Sequence, residues 1–267
     1  MPVTGCQQKI MLTRKNKKKI RQISFILMLT AFLLSMGIIL FKWLSPSKTR
    51  FVRYPEFGIT IPENYAIHGI DVSKYQQQID WDEVKRMRVK NVQIGFSFIK
   101  ATEGTQKKDP EFKRNWKKSR LAGIHRGAYH FFIASKDGTQ QARYFIKHVE
   151  LESGDLPPVL DVEQLNGAGP MQLRTEVKEW LQEVERHYGV KPIIYTNVDF
   201  YHRYLGEAFD AYPLWVAHYY REKDPSIKRE WLFWQHSDRG RVNGINHLVD
   251  FNVFNGDSVQ LKKLLIP

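Results

Sequence analysis

The sequence predicts an α/β protein: an irregular, TIM-like (β/α) barrel with a helix-poor final third, preceded by one N-terminal transmembrane helix. Three observations lead there. Eight short apolar runs lie between residues 67 and 251, with amphipathic stretches between the early ones. Such alternation implies parallel βαβ units, and eight within about 200 residues are enough to close a barrel. Nineteen uncharged residues, Ile23 to Phe41, stand near the N-terminus behind a run of cations. Finally, no Gly-x-Gly-x-x-Gly follows any apolar run, so the competing doubly wound sheet lacks its fingerprint.

The formal charge of +13 would point to a nucleic-acid partner if it were spread along the chain. It is not. Residues 1–50 hold ten of the 41 Lys and Arg and none of the 28 Asp and Glu, which leaves 31 against 28, a net +3, for the rest. Residues 1–22 are therefore a basic tail, and no nucleic-acid partner is expected. At about 1.5 Å per residue, the span 23–41 nearly matches a hydrocarbon core of roughly 30 Å. Lys9, Arg14, Lys15, Lys17, Lys18, Lys19 and Arg21 precede it, and only Lys42, Lys48 and Arg50 follow closely. That asymmetry predicts a single-pass anchor in the cell membrane, N-terminus in the cytoplasm, with the remainder periplasmic or extracellular. The alternative, a cleaved signal peptide, would need Ser35-Met36-Gly37 as a cleavage site within the apolar run. Cys6, the lone cysteine, falls on the cytoplasmic side, so the exported part is expected to fold without disulfides.

Residues 42–65, with Pro46, Pro55 and Pro62, read as a stalk; residues 66–267 read as one domain. Ile67–Val72 is strand-like. Trp81–Val89 is helix-like, opened by an Asp80-to-Glu83 capping box. Strands are expected at Val92–Ala101, Ile124–Phe132 and Pro158–Val162, with helices at Asp109–Ala122 and Asp137–Val149. Pro170–Tyr188 is the clearest helix, with Leu173, Val177, Trp180, Leu181, Val184 and Tyr188 on one face and Gly189 to stop it. Pro192–Thr196, Leu214–Tyr219, Trp231–His236 and His247–Phe251 complete the strands.

Barrel enzymes carry their chemistry at the C-terminal strand ends. There the sequence places Asp71 (first strand), Asp161 and Glu163 (fourth) and Asp250 (last). Asp161 and Glu163, two apart on a strand, point the same way with Cα atoms ~6.5 to 7 Å apart. One acid at a strand end is usually a cap or a surface charge. Four at one mouth repel one another unless a task needs them. Paired carboxylates are what glycoside hydrolysis uses. The same rim carries Tyr129 and Phe131, Tyr195, Trp215 and Tyr219, and Trp234 with Gln235 and Asn252, whose rings and amides suit sugar faces and hydroxyls; for Trp215 and Trp234 a place in the core is an equal expectation.

These residues resemble the family 25 glycoside hydrolases, the Chalaropsis-type lysozymes, over nearly all of residues 66–257. The resemblance rests on Gly69-Ile70-Asp71-Val72-Ser73 with Tyr75-Gln76, Phe98-Ile99-Lys100-Ala101-Thr102-Glu103-Gly104, Gly127-Ala128-Tyr129-His130-Phe131, Leu160-Asp161-Val162-Glu163, Ile194-Tyr195-Thr196, Leu214-Trp215-Val216-Ala217, Trp234-Gln235 and Val249-Asp250-Phe251-Asn252. It implies an irregular barrel that cleaves the β-1,4 bond between N-acetylmuramic acid and N-acetylglucosamine in peptidoglycan. It implies Glu163 as general acid, Asp161 as the carboxylate orienting the substrate N-acetyl group, and Asp71 and Asp250 as acids that tune charge and hold the sugar. Like-charge repulsion from Asp161 and Asp250 is expected to raise the pKa of Glu163. Tyr129, Phe131, Tyr195, Trp215, Trp234, Gln235 and Asn252 are the expected substrate-binding residues.

No His-Glu-x-x-His, Cys-pair, Gly-x-Ser-x-Gly or P-loop pattern occurs, so neither metal nor cofactor is expected. Lys100 and Glu103 could form an acid/base pair; a rim hydrogen-bond network is the favoured reading. A chitinase-like enzyme would carry Asp-x-Asp-x-Glu, but position 159 is Val. A non-catalytic, membrane-tethered glycan-binding module would not need the acid quartet. A monomer is expected.

Overall fold

The computed structural model describes residues 14–44, 49–219 and 223–267. Most of the basic tail, Cys6 and the stretch around Pro46 lie outside the described residues. Two units emerge, divided between Lys48 and Thr49. The first contains one helix, α1 (Arg14–Leu44), whose segment Lys19–Leu40 has a mean hydropathy of 2.5 and is long and apolar enough to cross a membrane.

The second unit opens with a finding the sequence reading did not expect. Strands β1 (Phe51–Tyr54) and β2 (Ile59–Pro62) pair antiparallel within the segment expected as a stalk. Tyr54, Phe57, Ile59 and Ile61 are buried in the core, and the Arg241 N–H donates to the Phe57 carbonyl. Prolines suit a linker, but here Pro55 opens the hairpin turn and Pro62 ends an edge strand, two places where a missing N–H costs no ladder bond.

The barrel then follows the predicted order. It contains β3 (Ile67–Val72), α2 (Trp81–Arg86), the short β4 (Arg88–Val89), β5 (Val92–Glu103), the short β6 (Lys107–Lys108), α3 (Phe112–Leu121), β7 (His125–Phe131), α4 (Gly138–His148), β8 (Val159–Asp161) and α5 (Pro170–Tyr188). After β9 (Ile193–Asn197) come a single turn, α6 (Val198–Phe200), and a π-helical turn, Tyr201–Leu205. The chain ends with β10 (Leu214–Ala217), β11 (Phe233–Gly240), β12 (Val249–Phe254) and α7 (Ser258–Leu264). α5 ends at Gly189 with φ 70°, the left-handed stop read from the sequence. The capping box at α2 forms by half. Asp80 accepts from the Asp82 and Glu83 N–H groups, but its own N–H donates to the Gly244 carbonyl and Glu83 turns to Arg86.

Eight strands close the ring in the order β3, β5, β7, β8, β9, β10, β11, β12, back to β3. The early pairs are parallel, but β12 runs antiparallel to both neighbours, so the all-parallel expectation fails at the last strand. The cause is the connection. Only residues 241–248 join β11 to β12, and a parallel crossover needs a dozen or more residues.

Side chains alternate in and out along each strand. Phe96, Phe98, Val159, Ile193, Trp215, Phe233 and Phe254 fill the barrel, while Ile70, Ile99, Leu160, Ile194, Val216 and Phe251 pack outward beneath the helices and the hairpin. Two strand glycines make room for the inner rings. A Cβ at Gly69 would stand 2.4 Å from Phe96, and one at Gly127 would stand 2.5 Å from Phe98.

Candidate active site

Because the odd residues of β3 and β8 face inward, Asp71 and Asp161 stand above the aromatic core at the C-terminal mouth. Glu163 lies just past the end of β8, with Val162 turned outward between the two acids. Asp250 reaches the same mouth from the start of β12, directly opposite Asp71 in register, because that strand runs the other way. The four carboxylates border one cavity of about 270 Å³ with Ser73, Tyr75, Gln76, Lys100, Tyr129, Phe131, Tyr195, Trp215, Tyr219 and Gln235.

A directed network holds Asp71. Gln235 Nε2 and Asn252 Nδ2 each donate to Asp71 Oδ2 at 2.7 Å. Trp215 Nε1 donates to Asn252 Oδ1 at 2.8 Å, and the Tyr195 hydroxyl donates to Gln235 Oε1 at 2.6 Å. The Tyr219 hydroxyl bonds the same Gln235 oxygen. Trp215 lies stacked on Phe98 with ring centres 4.4 Å apart, so the floor of the site is rigid. Asp161 is held differently: its Oδ1 is buried and accepts no hydrogen bond from the described residues.

Burial drives the electrostatics. It pushes Asp71 up to about 6, although bonds from Asn252, Gln235 and Asp250 pull the other way. It pushes Asp250 up to about 9, helped by the charge of Asp71. Asp161 rises well above the ordinary carboxylate range through burial and the charge of Glu163. Glu163 also rises, and burial rather than the expected charge repulsion is the leading cause; Lys100 opposes it. Carboxylates in a half-enclosed cleft lose hydration before they meet one another.

Trp234 takes the core place of its two expectations and not the substrate-binding one. It neighbours inward-facing Gln235 on β11, so alternation turns it outward. It is fully buried, donates from Nε1 to the His218 carbonyl, and packs edge-on against Phe51 at 5.9 Å. Asn252 donates to Asp71 and Trp215 donates to Asn252, so both spend their polar atoms inside the network. Phe131 borders the cavity, with the Lys100 ammonium 4.6 Å from its ring centre. Ser73, Tyr75 and Gln76 were missed as lining residues. Their signal was Ser73-x-x-Gln76, which folds as a reciprocal capping box just after the first strand and leaves Tyr75 70% exposed at the rim.

A closed α/β barrel with four acids and a fixed aromatic floor at one mouth defines a barrel glycoside hydrolase. The chain belongs to the glycosyl hydrolases family 25, whose pattern matches residues 70–245. It is 50% identical over 206 residues to the Escherichia coli K12 protein YegX, covering 77% of this chain and 76% of that one. It is 37% identical over 215 residues to lysozyme M1 of Streptomyces globisporus, covering 74% and 71%. The crystal structure of a bacterial lysozyme from Streptomyces coelicolor superposes with a TM-score of 0.68 at 36% identity, covering 74% of this chain and 96% of that one.

Proposed function

We propose that this protein is a membrane-anchored lysozyme that cleaves the β-1,4 bond between N-acetylmuramic acid and N-acetylglucosamine in peptidoglycan, needing no metal or cofactor. The observation that carries this reading is the Asp161–Glu163 pair: a raised acid beside a buried carboxylate oxygen that accepts no bond from the described residues. Leaving such an oxygen unpaired costs about 1 to 3 kcal/mol or more, which a donor on the substrate would recover. An acetamido N–H is such a donor.

In this reading Glu163 protonates the glycosidic oxygen as the C1–O bond breaks. The acetamido carbonyl oxygen of the same sugar attacks C1 from the opposite face while Asp161 accepts from the acetamido N–H and balances the positive charge that develops. Glu163, now a carboxylate, takes a proton from water as that water opens the cyclic intermediate. Two acids projecting from one strand end cannot flank the bond from both faces, as an inverting pair must; participation by the substrate supplies the second face. Asp71, held by Gln235 and Asn252, and Asp250 beside it form the far wall, while Tyr129, Phe131, Tyr195, Trp215 and Tyr75 shape the slot for a sugar ring.

Residues 23–41 would tether the enzyme, with residues 1–22 in the cytoplasm and the barrel on the periplasmic or extracellular side as a monomer. Proton NMR of the first product formed from purified peptidoglycan, read before mutarotation, tests the mechanism. A β-anomer is expected. An α-anomer would overturn substrate participation, and no product at all would overturn the enzymatic reading.

A further inference from the structure

Exposed lysines stand on three consecutive strand ends at the mouth. Lys74 follows β3, Lys107 pairs with Glu103 where the β5–β6 hairpin turns, and Lys136 follows β7; β3, β5 and β7 are neighbours in the ring. Each lysine touches a residue of the cavity wall or one bonded to it. The Lys74 ammonium lies 5.4 Å from the ring centre of Tyr75, which borders the cavity. Lys107 Nζ lies 2.8 Å from Glu103 Oε1, and the other oxygen of Glu103 is bonded at 2.9 Å by Lys100, itself a wall residue. The Glu103 bond and charge, and also the nearby Tyr75 oxygen, hold the Lys107 ammonium above its ordinary pKa, so Lys107 and Tyr75 share one stretch of rim. Lys136 folds over Gly104, its ammonium 3.7 Å from where a Cβ there would stand, and the Gly104 N–H donates to the carbonyl of Phe131, also in the wall.

The acids of this arc are already engaged. Glu103 is shared between Lys100 and Lys107. Asp109 is 5% exposed and accepts from the Lys74 and Glu111 N–H groups. Asp137, next to Lys136, caps α4 by accepting from the Gln140 N–H. Lys74 and Lys136 make no ion pair among the described residues. The arc is therefore a cationic lip on a mouth whose interior is acidic. N-acetylated sugar rings carry no charge, so the rings alone give these ammonium groups nothing to bind.

We propose that this lip binds carboxylates of the peptide carried by the muramyl sugar, so that the enzyme prefers glycan that still bears its peptides. The inference rests on the peptidoglycan reading above and extends it from the sugar chain to the side arm. On muramic acid that peptide hangs through a lactyl group from C3, the carbon beside the one that bears the acetamido group. A sugar whose acetamido group meets Asp161 on β8 thus starts its peptide a few bonds from the strand next to β7. Two peptide residues span about 7 Å, enough to carry a carboxylate from the slot to the lip. Charges this exposed contribute little singly and act together, and salt screens them.

The test uses full-length protein in detergent micelles and two preparations of uncrosslinked glycan strands. One keeps its peptides; the other is stripped by an amidase, which leaves only the lactyl carboxylate. Reducing-end release is measured for wild type, Lys74→Gln/Lys136→Gln and Lys74→Arg/Lys136→Arg. Wild type is expected to show the lower KM on peptide-bearing strands, with the gap closing at about 0.5 M salt. The Gln pair should raise KM on those strands by about 2- to 30-fold, the combined effect of two exposed ion pairs, with kcat unchanged and the stripped strands unaffected. The Arg pair, which keeps the charge, should behave as wild type. Equal KM for both strands in wild type would overturn the proposal, and so would a Gln pair that loses equally on both, which would assign the lysines to the lactyl group or to the fold. Binding of the same strands to Glu163→Gln, read by titration calorimetry, repeats the comparison without turnover. If wild type releases no reducing ends, the hydrolytic reading fails, while the affinity gap between the two strands still decides the role of the lip. Should the Gln pair fail to fold, each single substitution carries the same comparison.

Discussion

Glu163 and Asp161 differ by one methylene and two positions, yet the proposed mechanism gives them different tasks. Glu163 is half-buried and reaches the cavity from beyond the strand end, where a proton donor can follow a leaving group. Asp161 is seated deeper, and its buried Oδ1 accepts no hydrogen bond from the described residues. Glu163→Gln, which keeps size and loses the proton, is expected to lower turnover by about 10²- to 10⁴-fold with an unchanged circular-dichroism spectrum. Retention of more than a tenth of wild-type turnover would refute its role. Asp250 leads to a prediction about stability. Its folded carboxyl stays protonated up to about pH 9, whereas the unfolded one ionises near 4. Its contribution to stability is therefore complete below pH 4 and is lost as pH climbs toward 9. Asp250→Asn keeps a donor for Asp71 and cannot ionise. It should melt above wild type at pH 8, by about 2 to 4 °C for each kcal/mol relieved, and the gap should shrink toward pH 4. A gap that widens toward acid would contradict the assignment. At this scale the sequence was most legible where chemistry and alternation agree. Asp71, Asp161 and Glu163 were readable from apolar neighbours, but Trp234 was misplaced because two adjacent strand residues, Trp234 and Gln235, were assigned to one face.

At the scale of elements, the barrel strands lay close to where apolar runs predicted them, and α5 matched residue for residue because its six-residue apolar stripe and Gly189 leave no alternative. Two features escaped for definable reasons. The β1–β2 hairpin alternates over only four residues per strand, too short a pattern to outweigh its prolines. The reversed direction of β12 depends on the length of a connection rather than on the strand itself, and it moves Asp250 from a strand's end to a strand's start without moving it from the mouth. The hairpin can be weighed. Phe57 is fully buried, 5.2 Å from the Phe251 ring behind the Asp250–Asn252 segment. Phe57→Ala is expected to destabilise the protein by about 3 to 5 kcal/mol, measured by denaturant unfolding in micelles. A loss below about 1 kcal/mol would show that the segment is a stalk after all.

For the whole molecule, the proposed anchor bears on location and the acid-lined cavity on activity. The apolar span and the cations before it predict full-length protein that stays with membranes through high-salt and carbonate washes. A mature N-terminus found between Ser35 and Arg50 would instead identify a cleaved signal. A tethered barrel could act only on glycan within reach of its own membrane, which suits a substrate fixed in a wall. That the substrate is peptidoglycan, and the bond the muramyl one, is tested most directly by the identity of the sugar left at each new reducing end. Purified peptidoglycan is digested with wild type and with Glu163→Gln, reduced with borohydride, hydrolysed, and assayed for amino-sugar alcohols. Wild type should yield muramitol and Glu163→Gln almost none. Glucosaminitol from wild type would place the cleavage at the other glycosidic bond, and equal yields from both proteins would contradict the central role of Glu163.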